Sequence, residues 1–564
     1  MQIKITFLLL FLIALMCMGS HVRSQVESVP LDNQVYDFLK QMSVKRILPS
    51  INDDNPVLSK GEVAEYLKKI DAKNKELSEV EKKTLEKYKT VFIPELMNNK
   101  NTDVIIAGDG SFGKRVGDIF SKKQKYLYLY KKENFTNYTS LTGHLDFTKE
   151  FKPSSDSSVF MMDVGFRTNG TAFKHLGYGL SVSAGFVFGS AELARTVKPE
   201  LSSNYKFIEN IENIRNYDFA DGYLKYYAEP ADDMKISVQL GREKIRYGSV
   251  GYADNMMISG NANDLDFIKF DFKYGVLNFS SIHASTVGYY NVIHDSNYTK
   301  YIATNRLKLS FPDLFDIGMT DMIVYSGRFD LAYLTPLGFY KYIEMSLQDR
   351  DNGIVSFDFQ SHFMKDLQFQ AAFMLDENIL GNFQNLSLAA NKTGYQLGVM
   401  AYEPFGLKNV SLILEYTKIR PYVYSHVNRK NNFTSFGQLI GGGIGPNADR
   451  IYAKIAYNIS EWVSLNFEYQ HIRKGNDVYD ANGNLVRKVG GDPYYPYIDG
   501  VDPKEAVFLD GDRVNTDAAI VNLRFEPFRN LIFDLVYNYT MYNYITRGNK
   551  NDINYAFLRF SIDY

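Results

Sequence analysis

The sequence predicts a transmembrane antiparallel β-barrel of about eighteen strands, led by a small helical bundle. Three observations carry that expectation. Segments with period-two alternation recur through most of the chain, each with an apolar and a polar face. The connections between them alternate short and long, as they do in outer-membrane barrels. And although 45% of residues are hydrophobic and 15% aromatic, with 42 Tyr and 40 Phe, no run past the amino terminus is apolar for the ~20 residues a membrane helix needs.

Residues 1–24 read as a secretory leader. Lys4 gives a positive start, Phe7 to Met16 form an apolar run too short to span a bilayer, and Val22-Arg23-Ser24 precede a cut. The single cysteine, Cys17, lies in that run behind Met16, where a lipoprotein signal requires a small residue. The mature chain is therefore expected to hold no disulfide, thiol nucleophile or thiolate metal site. A net charge of -2 gives no electrostatic case for nucleic acid.

Residues 25–100 change period. Val35, Phe38, Leu39 and Met42 make a helical stripe. Ser59 with Glu62, and Ser78 with Glu81, have capping-box spacing. The first pair precedes Val63, Tyr66, Leu67 and Ile70; the second precedes Leu85, Tyr88 and Phe92, and Pro94 ends that helix. Three short helices are expected on the periplasmic side, as a plug or cap beneath the lumen or as a contact for periplasmic partners. Residues 101–137 are a connecting segment or an extra hairpin, because Tyr126, Tyr128 and Tyr130 alternate with Leu127 and Leu129.

The barrel is expected over 138–564. In its last strand Ala556, Leu558, Phe560, Ile562 and Tyr564 share one face, with Arg559, Ser561 and Asp563 on the other. The same pattern recurs at 533–541, 519–526 and 463–470. In lipid every backbone polar group must be paired, so only a closed barrel accommodates such strands. Short connections near 526–530, 459–462, 404–409, 364–366, 311–316, 274–276, 229–234 and 173–177 mark the periplasmic end. Long ones at 474–516, 421–448, 377–393, 328–352, 246–263 and 191–217 mark the external end, as does the shorter 546–553. A terminal aromatic after this alternation also resembles the signal read by the barrel assembly machinery, and outer-membrane lipids are the surroundings the apolar faces require.

Three blocks resemble the Wzi-like capsule assembly proteins. The first holds Pro30-Leu31, Val35-Tyr36-Asp37-Phe38-Leu39 and the run from Leu58 to Leu67. The second, 240–268, carries Gly241-Arg242 and leads into Ser259-Gly260-Asn261. The third, 302–352, holds Tyr333-Leu334-Thr335-Pro336 and Asp349-Arg350-Asp351-Asn352. Outside these blocks the resemblance is one of pattern, and Tyr247 and Asn305 stand where Trp and His are common. The resemblance implies a barrel of about eighteen strands with a periplasmic helical bundle. It also implies a lectin-like role without catalysis or cofactor, holding capsular or related polysaccharide at the cell surface.

The residues themselves offer candidate glycan contacts. In the external 474–516 connection, Tyr494, Tyr495 and Tyr497 flank Pro496, and Asp492 and Asp499 supply acceptors. Aromatic faces suit the apolar side of a sugar and carboxylates suit its hydroxyls, while an ordinary packed surface loop is the plainer reading. Asn482-Gly483 marks a tight turn there. The spacing of Asp510 and Asp512 does not match a calcium loop, and no metal is expected. Asp349, Arg350, Asp351 and Asn352 form a second candidate, in a connection able to fold inward and narrow the lumen; an internal ion-pair network is the structural alternative. Arg242 and Arg246, where a strand meets a loop, face either an acidic sugar or lumen carboxylates. His283 and Ser285 share a strand face, the spacing of an outer-membrane phospholipase, but no third orienting residue is evident. The leading function is a non-enzymatic polysaccharide-binding barrel; the alternative is a porin or solute channel, distinguished by an open lumen.

Overall fold

The computed structural model describes residues 25–55, 57–97, 101–106, 118–210, 214–288, 297–336, 338–376, 385 and 387–564. The leader expected at 1–24 lies outside these residues. Among them, no helix is long and apolar enough to cross a membrane.

Eighteen antiparallel strands form a closed barrel. They are β1 (Phe135–Lys152), β2 (Ser158–Ala172), β3 (Leu176–Gly189), β4 (Asn216–Ala231), β5 (Met234–Glu243), β6 (Leu265–Tyr274), β7 (Leu277–Val287), β8 (Thr299–Phe311) and β9 (Phe315–Ser326). The second half is β10 (Asn352–Ser361), β11 (Leu367–Leu375), β12 (Thr393–Tyr402), β13 (Val410–Ile419), β14 (Ala448–Ser460), β15 (Val463–Asn476), β16 (Asp512–Phe528), β17 (Leu531–Tyr544) and β18 (Asn549–Asp563). Each pairs with its chain neighbours, and β18 closes on β1 with Leu558 opposite Phe147 and Arg559 opposite Asp146. The backbone N–H of Tyr564 then donates to Leu141 O at 2.8 Å, so the last residue completes the seam.

Alternation places the faces. On β18 Leu558 is 45% exposed on the outer wall, whereas Arg559 points inward and donates to Asp146 at 2.6 Å. Leu145, Val164, Leu224, Leu240, Leu397 and Leu535 continue the apolar outer band. A barrel with this band and no apolar spanning helix belongs in an outer membrane, with its short turns facing the periplasm. Those turns fall where the sequence puts them. Asp233 and Asn530 adopt positive φ of 60° and 64° there, a conformation their short side chains tolerate.

Three helices fill the periplasmic half of the lumen: α1 (Val35–Val44), α2 (Lys60–Ala72) and α3 (Glu79–Phe92). Both capping boxes form, Ser59 with Glu62 and Ser78 with Glu81. Val35, Leu39, Met42, Val63, Leu67, Ile70 and Leu85 are fully buried and pack with Met400 and Tyr402 of β12; burial of each such aliphatic side chain contributes about 1.5–3 kcal/mol. Polar contacts dock this plug around the wall. Asp54 accepts from Arg306 Nε at 2.6 Å and pairs with Lys308 Nζ at 2.5 Å. Asn55 donates to Asp271 at 2.9 Å, Gln41 donates to Ser411 at 3.3 Å, and Lys87 pairs with Glu526. The segment before α1 is threaded in as well: Val26 N donates to Thr171 at 2.8 Å and Ser28 N to Tyr223 at 2.8 Å.

Between plug and barrel, Gln124–Tyr126 pairs in parallel with Thr102–Val104, and Tyr128–Lys132 forms a hairpin with the start of β1.

Candidate functional site

Loops fold into the external end from the rim. Loops 244–264 and 420–447 turn into the lumen and share one apolar core with inward residues of β7–β11, among them Ile282, Ile302, Met322, Val324, Ile354 and Met374. Tyr424 is central. Its ring stacks on Phe433 at 5.0 Å, and its hydroxyl donates to Met256 O at 2.7 Å and accepts from Gly442 N at 3.0 Å. At Gly441 a Cβ would sit 2.5 Å from Met256 O, so the close approach requires glycine. Lys300 of β8 anchors the same loop by donating to Asn432 O and Thr434 O at 2.7 and 2.9 Å. On the opposite side, Leu193, Leu201 and Phe207 of loop 190–215 pack over inward residues of β2–β4 and β18.

The 327–351 connection does not narrow the lumen as its sequence allows. It folds outward as a strap over β8–β10, carrying the short helix α4 (Tyr340–Ser346). Ala303, Asn305, Asp321, Ile323 and Tyr325 occupy lipid-facing positions by alternation yet are at most 8% exposed, because the strap covers them. Asn305 donates to Gly338 O at 2.9 Å, and the carboxylate of Asp321 accepts from Tyr340 N. The physical reason is two-sided. Near the external end the inward side chains Ile302, Met322, Val324 and Ile354 are already covered by the inner loops, while polar Asn305 and Asp321 on the outer face need partners away from lipid.

Asp349-Arg350-Asp351-Asn352 closes the root of this strap. Asp351 is 1% exposed and accepts from Arg328, from Tyr333 Oη at 2.8 Å and from Asn431 at 3.0 Å. Arg350 donates to Asp330 at 2.8 Å, Asn352 donates to Asn431 O at 3.1 Å, and Asp349 lies 3.5 Å from Lys341. Arg242 and Arg246 sit on opposite sides of the wall. Arg242 points outward and pairs with Asp266 at 3.0 Å, whereas Arg246 donates to Gly251 O and lines an interior cavity of about 350 Å³.

Loop 477–511 lies above loop 420–447 and presents the tyrosines. Its tip turns at Gly483, with φ of 80°, between the short strands Val478–Tyr479 and Leu485–Arg487. Tyr494 Oη lies 3.2 Å from Thr434 Oγ1, Tyr497 packs edge-on to Tyr422 at 5.8 Å, and Tyr495 meets Tyr479 at 6.3 Å. Arg429 sits 5.4 Å above the Tyr495 ring, a cation–π contact. Asp492 accepts from Tyr494 N at 2.8 Å, and Tyr497 Oη donates to Asp499 at 3.2 Å. Arg487 grips Asp510 through two hydrogen bonds, holding its carboxyl below the usual carboxylate range. The structure thus gathers Tyr494, Tyr495, Tyr497, Asp492 and Asp499 into one external face, and adds Tyr422, Arg429 and Tyr479, which sequence reasoning missed. The aromatic and basic residues of the long 421–448 connection were the available signal. Asn431 of that same loop reaches Asp351, so one loop joins both candidate patches.

His283 and Ser285 both face outward. His283 Nε2 lies 2.7 Å from Tyr325 Oη. Among the described residues, no cluster of three His, Cys, Asp or Glu is placed to hold a metal ion.

An eighteen-strand barrel with helices folded into its periplasmic half and its own loops into its external half defines an outer-membrane barrel with a filled interior. Among solved structures the chain is similar to Wzi of Escherichia coli, described as an outer-membrane protein involved in group 1 capsule assembly and a carbohydrate-binding β-barrel. That alignment covers 96% of this chain and 100% of Wzi, with a TM-score of 0.55 and 10% identity, a likeness of fold. The chain also aligns with OccAB2 of Acinetobacter baumannii (TM-score 0.43, 10% identity, 76% of this chain and 98% of that one). OprD of Pseudomonas aeruginosa gives a TM-score of 0.41 at 9% identity, over 76% of this chain and 95% of that one. No family model matches the chain, and no curated protein matches it in sequence.

Proposed function

We propose that this protein is a non-catalytic outer-membrane barrel that binds or anchors an exported polysaccharide, capsular or related, at the cell surface. The filling of the lumen from both ends carries this reading. Helices below and loops 190–215, 244–264 and 420–447 above turn the external end into a platform rather than a pore, and loop 477–511 offers tyrosine faces and carboxylates on it. The described role of Wzi, which shares the fold, supports the same assignment.

The test is retention of surface glycan by cells carrying the wild-type protein or a variant with Tyr494, Tyr495 and Tyr497 all changed to Ala. Taking each tyrosine face to contribute what an aromatic pair does, about 0.5–1.5 kcal/mol, the three together make a loss of tenfold or more in retained glycan the expected result, with the barrel still assembled. Unchanged retention would sink the role of that loop.

A second reading, a solute channel, draws on cavities left beside the plug, of about 730 and 440 Å³, which share Arg167 and Asn169 in their linings. Planar-bilayer recording separates the two. A glycan-holding barrel stays silent, whereas large, steady openings of the wild-type protein favour the channel.

A further inference from the structure

The outer wall beside the strap carries a groove of about 820 Å³, running from Tyr178 on β3 to Phe329 on the strap. Gly222 leaves its floor bare, and Leu224, Leu240 and Ile268 line it as part of the lipid-facing band, 53, 62 and 46% exposed. By register Tyr178, Leu224, Leu240, Ile268 and His283 form one row across the strands, and Gly222, Arg242, Asp266 and Ser285 form the next row toward the external end, where the charged pair Arg242–Asp266 lies. Polar side chains on the membrane face of a barrel are costly and mark functional contacts by default. Two such residues, Asn305 and Asp321, are relieved by the strap. His283 and Ser285 lie at the strap's edge and open into the groove instead. The groove is therefore mainly apolar along its periplasmic-side row and polar along the row nearer the headgroup layer, the polarity of a single amphiphile.

We propose that this groove seats one acyl chain of a phosphate-bearing outer-leaflet lipid, with the headgroup phosphate at Arg242 and His283. Arg242 engages both oxygens of Asp266 through one nitrogen, Nη1, at 3.0 and 3.1 Å. A guanidinium has further N–H donors suited to phosphate. The strap has two tasks on this account. It covers the polar outer positions of β8–β9, and through Phe329 it supplies the wall that makes a flat barrel surface concave.

The experiment places the full chain in nanodiscs of phosphatidylethanolamine and phosphatidylglycerol at about 3:1 and follows lipid retention by native mass spectrometry. Wild type is expected to keep one lipid after the surrounding lipids are stripped. Gly222→Trp fills the floor and Phe329→Ala removes the wall; each is expected to lower the lipid-bound fraction at least fivefold. Leu558→Trp, an added indole elsewhere on the outer band, is expected to behave as wild type. Complete stripping of wild type, or equal retention by all four proteins, overturns the proposal. A Cβ at Gly222 would lie 3.1 Å from Gly179 O; should that variant fail to assemble, Phe329→Ala decides alone, because the strap lies outside the strands.

Discussion

Replacing Asp54 by Asn removes the plug's carboxylate from the two cations it joins on β8. Arg306 and Lys308 are 2 and 5% exposed at the side chain and Asp54 is 3%, so solvent screens this network little. Breaking a buried pair by removing one partner costs about 3–5 kcal/mol. The low end applies, because Arg306 keeps two bonds to Asp358 at 2.6 and 2.8 Å and Lys308 keeps Asp316 at 3.8 Å. About 3 kcal/mol is a shift of roughly two orders of magnitude in the docked-to-undocked ratio of the plug. The assay uses Gln41→Cys at the plug–wall contact, the single native cysteine being Cys17 in the expected leader. Labelling by a bulky maleimide is expected to be slow, and to quicken by up to that factor when Asp54→Asn is added. The pH dependence gives a second arm. Burial alone raises the Asp54 carboxyl, but Lys308 and Arg306 more than offset it and hold it well below the ordinary carboxylate range. A depressed native value means its stabilisation is complete above the unfolded value of about 4 and lost as pH falls through the native one. Normalised at each pH to labelling of the same cysteine in the denatured protein, which removes the thiolate's own pH dependence, labelling of the protein with Asp54 is expected to be flat from neutral pH to about 5 and to rise only in stronger acid; the Asn variant lacks that acid-dependent rise. Equal labelling rates with and without Asp54 at neutral pH would refute the latch.

Three further outcomes are expected. Gly441→Ala forces Met256 O or Tyr424 Oη aside, since its Cβ falls 2.5 and 2.7 Å from them; trypsin added to intact cells is expected to cut faster after Arg429, and no change would show that the inner loop tolerates the methyl group. Leu558→Arg puts a charge on the lipid face at a cost of about 2–4 kcal/mol near the midplane, read as a lower yield of heat-modifiable folded barrel. Ser59→Ala removes one capping box and is expected to weaken α2 by about 1 kcal/mol, seen as a modest rise in maleimide labelling of Gln41→Cys.

What was legible in the sequence was whatever one strand or helix decides locally. The β18 faces follow from Ala556 to Tyr564 alone, and α2 and α3 from Ser59, Ser78 and their stripes. What was not legible depends on which layer covers a strand. From Asp321 to Tyr325 alternation disappears, because Met322 and Val324 meet the inner loops while Ile323 and Tyr325 meet the strap. A continuous apolar run of this kind marks a strand buried on both faces, but it does not say which loop lies on which side. The 349–352 cluster reads as an ion-pair network from its own residues, yet its partner Asn431 is 80 positions from Asp351. The candidate tyrosines form one face only because loop 420–447, folded into the lumen, supports them from below.

The plug has a consequence for the order of assembly. It is made first, but its partners arrive throughout synthesis: Thr171 on β2, Arg306 on β8, and Glu526 on β16, 439 positions after Lys87. Each docking contact waits for a strand not yet inserted, and the ring closes only when β18 meets β1. Helices of 10, 13 and 14 residues are marginal alone in water, so the plug gains its full stability only as the strands that carry its partners come into place. Loop-closure entropy over such spans favours late, concerted docking. Plug and ring thus lock each other, and neither is complete before the seam.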